Sequence, residues 1–156
     1  MLILYINMNL ILTTSQFYKK NVYFSEPIEN TIIENSQFIK LTYSNKDITL
    51  NGIYILLDLN ITSKEHYFKK IKYNFDINQN NECLKNFLNI EKQILCLYNL
   101  NNKTCKYSIN ELLKNSCIKI YPSDDKTNNS NKFMVKISGI WENSKELGLT
   151  YKIINI

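Results

Sequence analysis

Apolar and polar residues alternate with a period of two through most of this chain, which is the spacing of half-buried strands. Residues 38–43 read Phe-Ile-Lys-Leu-Thr-Tyr. A polar turn at 44–47 leads into a long apolar run over 48–59, where Gly52 predicts a bend or bulge. Over 67–77, Ile71, Tyr73, Phe75 and Ile77 point one way, and Lys70, Lys72 and Asn74 the other. That pattern predicts a strand with a basic outer face. The opening residues 1–12 predict a first strand: they carry no basic leader or small-residue cleavage site and are too short to span a bilayer.

The period changes at Asn80. Across 81–99, Cys83, Phe87, Ile90, Ile94 and Leu97 recur at steps of four and three, and Leu84, Leu88, Leu95 and Tyr98 broaden the stripe. This predicts an amphipathic helix, with Asn80 or Asn81 available to cap its first amides. Ser108-Ile109-Asn110-Glu111 reads as a capping box that opens a shorter helix. Strands resume at 117–121, 133–141 and 147–154, the last two joined as a hairpin through 142–146. In the first strand of that hairpin, Phe133, Val135, Ile137 and Gly139 share a face. Loops are expected near 26–36 and 122–132, and no repeat or linker divides 1–156 into separate domains. The fold class expected is mainly β with inserted helices. A five-stranded Greek-key, OB-like barrel fits the element order, and a β-sandwich with a helical insertion is the alternative.

Composition narrows the partners. The chain has no Ala and no Arg, and all 19 basic residues are Lys. Heavy use of Asn, Ile, Lys and Tyr follows A/T-rich codons and points to a source such as a large DNA virus, a protist or a symbiont. A net charge of +5 suits an anionic partner. Without Arg there is no fork to read guanine edges or grip phosphate bidentately, so any nucleic-acid contact would rest on Lys charge and aromatic stacking, with little base preference. Cys83, Cys96, Cys105 and Cys117 form no Cys-x-x-Cys pair, and one histidine cannot complete a finger-type zinc site. Cys83 and Cys96 fall among apolar neighbours of the longer helix, which predicts buried free thiols and an intracellular, reducing location.

Catalytic patterns are missing. His66 is the one imidazole, flanked by Lys64, Glu65 and Tyr67, and with three glycines there is no nucleophile elbow or phosphate-cradling loop. Asp47, Asp58, Asp76, Asp124 and Asp125 are the carboxylates that a nuclease-like metal site would draw on, but turn chemistry explains Asp47 and the Asp124-Asp125 pair equally well. The expectation is a non-enzymatic protein with no cofactor, no metal and no membrane span.

The remaining feature is interleaved lysine and aromatic residues on strands: Lys40 with Tyr43, Tyr54, Lys70 and Lys72 with Tyr73, Lys119 with Tyr121, Lys136 with Trp141, and Tyr151 with Lys152. Non-specific binders of single strands combine a cationic groove with such stacking platforms. The competing explanation is ordinary strand chemistry, with aromatic residues in the sheet and lysines on its wet face.

The C-terminal stretch Phe133-Met134-Val135-Lys136-Ile137-Ser138-Gly139-Ile140-Trp141, followed by Gly148-Leu149-Thr150-Tyr151-Lys152-Ile153-Ile154, resembles the closing hairpin of phage-type single-stranded-DNA-binding proteins. Members of that family also occur in large nucleocytoplasmic DNA viruses. The resemblance covers these two strands alone. It implies an OB fold, no enzymatic activity, and single-stranded DNA, or RNA, as the partner during viral replication in the host cytoplasm or a virus factory. It leaves self-association open. The family's flexible acidic tail has no counterpart in 151–156, which still reads as strand, so recruitment of partners by a tail is not expected. A viral structural or protein-interaction β-domain is the alternative function.

Overall fold

The closing hairpin is the spine of the molecule. In this computed structural model, which describes residues 10–122 and 130–156, strands β10 (Phe133–Glu142) and β11 (Glu146–Asn155) pair antiparallel along almost their whole length. Asn143 makes the turn between them, its Oδ1 accepting from the amides of Lys145 (2.8 Å) and Glu146 (2.7 Å). The other edge of β10 is shared. Its first half pairs with β5 (Ile53–Leu57) and its second half with β3 (Gln37–Ser44). Short strands complete this sheet: β1 (Val22–Phe24), β2 (Ile28–Glu29) and β4 (Thr49–Leu50) on β3, and β8 (Thr104–Lys106) parallel to β11. The mixed, eight-stranded sheet curls into a half-barrel.

A second, three-stranded sheet has the order β6 (Ile61–Tyr67), β7 (Lys70–Phe75), β9 (Cys117–Ile120), all antiparallel. The inner faces of the two sheets meet, with the ring of Tyr73 edge-on to that of Phe133 at 4.8 Å. Helix α1 (Asn81–Tyr98) supplies Phe87, Ile90, Ile94 and Leu95 to the same core, and α2 (Ser108–Leu113) supplies Ile109 and Leu113. Each such side chain, fully buried, is worth about 1.5–3 kcal/mol. With 44% of the described residues in strands and 21% helical, the chain is mainly β with inserted helices. Its strands outnumber the expected five and lie in two sheets.

Several local expectations give way to tertiary context. A bulge between Ile137 and Gly139 reverses the alternation, so Ile140, rather than Gly139, joins Phe133, Val135 and Ile137 on the core face. The strand expected over 67–77 is shorter, β7 alone (Lys70–Phe75), because the chain turns at Phe68 and Lys69 from the end of β6, and the run over 48–59 breaks at Gly52 (φ 107°). Asn80 stands at the N-cap position of α1 without bonding the helix amides. Its buried side chain instead ties the helix start to the preceding strands, accepting from Asn60 N–H (2.8 Å) and donating to Asp76 C=O (2.7 Å). Nor does Ser108 cap α2. Glu91, fully buried on α1, accepts from the amides of Ile109 (3.0 Å) and Asn110 (3.1 Å), while the Ser108 hydroxyl finds no partner among the described residues.

On α1, Leu97 faces out at 40% exposure, because the buried stripe runs through Leu84, Phe87, Glu91, Ile94 and Leu95. Cys96 is exposed for the same reason, whereas Cys83 is half-buried and burial pushes its thiol up to about 11. All four cysteines are free. Of the expected first strand, residues 1–9 lie outside the described residues. Leu12 bridges to β5 in parallel, donating to Tyr54 C=O (2.7 Å) and accepting from Leu56 N–H (2.8 Å).

Candidate nucleic-acid interface

The outer face of β6–β7–β9 is built by strand alternation. Tyr73, Phe75 and Ile118 turn into the core, so their neighbours Lys70, Lys72 and Lys119 must face out. Register then sets who sits beside whom: Glu65 opposite Lys72, Lys72 opposite Lys119, and Tyr67 opposite Lys70. Tyr121, 66% exposed, continues β9 next to Lys70.

Charges and rings interlock on this face. Lys119 Nζ stands 4.0 Å over the centroid of Tyr67, and Lys70 Nζ 4.7 Å over that of Tyr121. Lys72 Nζ lies 3.0 Å from Glu65 Oε1. The hydrogen bond from Lys72, together with its charge, holds the Glu65 carboxyl below the ordinary carboxylate range, and the same contact raises the Lys72 ammonium. Beside the face runs a groove of about 600 Å³ between β9 and β11, with Lys119 and Tyr121 on one side and Tyr151 and Lys152 on the other.

Of the residues expected to bind, Lys70, Lys72, Lys119 and Tyr121 therefore come together. Lys152 and Tyr151 join them only across the groove. Tyr151 faces inward, donating its hydroxyl to Ser108 C=O (3.3 Å), and burial raises its phenol. Two expectations are corrected. Tyr73 is buried beneath the face at 2% exposure, and Tyr43, also 2% exposed, is a core residue whose hydroxyl accepts from Tyr18 N–H (3.0 Å).

The others sit on the outer face of the large sheet. Tyr54 and Lys136 stand side by side there, in a row that Lys152 continues to the rim of the groove, with Lys136 Nζ 5.5 Å from the Tyr54 centroid, and Lys40 lies opposite Gly139. Trp141 is half-buried across from Gly148, where any Cβ would come within 2.8 Å of the indole nitrogen. Its ring is thereby packed flat on the sheet.

Tyr67 and Phe68 were not expected at the site, though the run His66-Tyr67-Phe68-Lys69-Lys70 carries the same lysine-aromatic signal. His66 is exposed. Asp47, Asp58 and Asp76 are exposed and scattered, and Asp124 and Asp125 lie outside the described residues. Among the described residues no group of three or more His, Cys, Asp or Glu side chains could hold a metal ion, and no helix is long and apolar enough to cross a membrane.

The face can offer ammonium groups to phosphates and phenol rings to bases. A base stacking on the lysine-covered side of Tyr67 or Tyr121 displaces that lysine. An exposed cation–π contact is worth about 0.5–1 kcal/mol and a stacked base about 1–3 kcal/mol, so the base wins and the freed ammonium can turn to a phosphate. No family model, curated protein or solved structure matches the chain.

Proposed function

We propose that this protein binds single-stranded nucleic acid, DNA ahead of RNA, without base preference and without catalysis, on the outer face of β6–β7–β9. The observation that carries the reading is the convergence of Lys70, Lys72 and Lys119 with Tyr67 and Tyr121 on one exposed surface. The lack of Arg agrees with phosphate and ring contacts in place of base-edge readout. An OB-like plan belongs to the same proposal. The half-barrel curl of the large sheet and a helix inserted ahead of a closing hairpin support it. The A/T-codon composition and the resemblance of the hairpin favour viral replication as the setting.

The test is fluorescence anisotropy of labelled oligo-dT at about 50 and about 200 mM salt. Single strands release about 0.7 counterions per neutralised phosphate, so three lysines give a log–log salt slope of about −2. Lys119→Ala should reduce the slope by about 0.7 and weaken binding. Absence of binding at micromolar protein sinks the reading. The second reading, a protein-interaction domain, is favoured by the exposed Ile28 and Ile32 beside β3 (60% and 88%). It would then be tested by pull-down with Ile32→Asp as the control.

A further inference from the structure

The β6–β7 hairpin turns at Phe68 and Lys69, and its tip carries a side chain that folding does not ask for. Phe68 is 92% exposed, and its backbone sits at φ 54°, in the left-handed region that large side chains avoid. The other non-glycine residues in this region among the described residues are small and polar, Asn35 (φ 55°), Asn102 (φ 52°) and Ser116 (φ 59°). In a chain this rich in Asn, a strained and solvent-facing Phe at the tip points to a use for its ring.

The surroundings narrow that use. Phe68 meets Tyr67 edge-on, with centroids 5.0 Å apart and planes at 90°. Two perpendicular rings cannot hold successive bases of one continuous stack. A strand lying on Tyr67 must therefore turn, or end its stack, at the tip. Lys69 and Lys70 follow directly in the chain, and Lys119 stands over Tyr67, so cations flank the ring where phosphates would crowd.

A lipid surface is the weaker partner for this tip. One phenyl ring buries less apolar area than a single acyl chain, which by itself holds a protein to a bilayer only marginally. A single ring is, however, what stacking on one exposed base pair needs.

We propose that Phe68 stacks on the open end of a duplex where a single strand begins, giving the face a preference for single-strand/double-strand junctions. This rests on the single-strand reading above and adds the tip as its junction-specific contact.

The experiment compares labelled oligo-dT alone with the same strand extended by a closed DNA hairpin. Wild type should bind the extended form roughly tenfold more tightly. Phe68→Gly suits the left-handed backbone, so it folds, as an unchanged thermal melt would show. It should bring the extended form down to the affinity of the strand alone, while Phe68→Trp keeps the preference. Equal affinity for the two ligands in wild type, or a preference that survives Phe68→Gly, overturns the proposal while leaving strand binding in place. Failure to bind either ligand removes the single-strand reading and the junction with it. Binding to anionic vesicles that Phe68→Gly abolishes, with no junction preference, overturns it in favour of a lipid surface.

Discussion

Glu91 and Glu142 are both carboxylates turned inward, and they answer to pH with opposite signs. Burial pushes the Glu91 carboxyl above its ordinary value, against the pull of the Ile109 and Asn110 amides. The folded state then holds that proton more tightly than the unfolded chain does. Its contribution to stability is present below the ordinary carboxylate range and fades as pH rises through the folded value. For Glu142, burial also pushes upward, but the Tyr98 hydroxyl (2.7 Å) and the Lys103 ammonium (2.9 Å) win and hold it low. Its contribution is present above the ordinary range and is lost as pH falls through the lowered value. Urea unfolding should therefore show that Glu91→Gln costs more at acidic than at neutral pH, and Glu142→Gln less. Glu91→Ala, which also strands two buried amides, should follow the same pH trend and cost on the order of 3 kcal/mol at acidic pH, more than Glu91→Gln at either pH. The capping role of Glu91 was not legible in the sequence, because Ser108 and Glu111 have the right local spacing and the true acceptor is remote in the chain. Tyr73 was half legible: its parity with Phe75 already assigned it to the buried side.

Elements declared themselves in the sequence when one face was apolar and the other wet. Helix α1 and the β10–β11 hairpin were legible for that reason, to within a residue or two at each end. Strand β6 was not: six of its seven residues are exposed, so burial imposes no alternation on Ile61–Tyr67. Its turn, with Phe68 in place of Gly or Asn, carries no turn signal. Nor could the bulge in β10 be read from the apolar pattern, since Ser138 interrupts it without shifting it visibly. What permits the close pairing there is Gly139, where a Cβ would overlap the backbone oxygen of Ile39 and press on the Phe38 ring. At Gly148 the obstacle is only the movable Trp141 indole. In denaturant titrations Gly139→Ala should lose about 3 kcal/mol or more, and Gly148→Ala about 1–2 kcal/mol.

Across the whole molecule, the +5 charge is less informative than where it lies. The inner faces of the two sheets meet in the core, so their outer faces look away from each other, and the lysine-aromatic pattern occurs on both. Sequence could list these residues but not sort them, because sorting needs the long-range register that puts Lys119 beside Lys72. The sorting makes a clear prediction for oligo-dT titrations. Glu65→Gln frees Lys72 from its ion pair and should tighten binding several-fold at low salt, whereas Lys136→Ala, on the far face, should change it less than twofold. The shared edge of β10 has a further consequence for synthesis of the protein. Strands β3 and β5 leave the ribosome about 100 and about 80 residues ahead of their partners in β10, the strand that pairs with both. Until then β3 has only the short strands β1, β2 and β4 to pair with, and the apolar faces carrying Ile39, Leu41, Ile53 and Ile55 lack the strand that joins them into one sheet. The nascent chain thus passes through a long interval in which the exposed apolar side of these strands is open to aggregation.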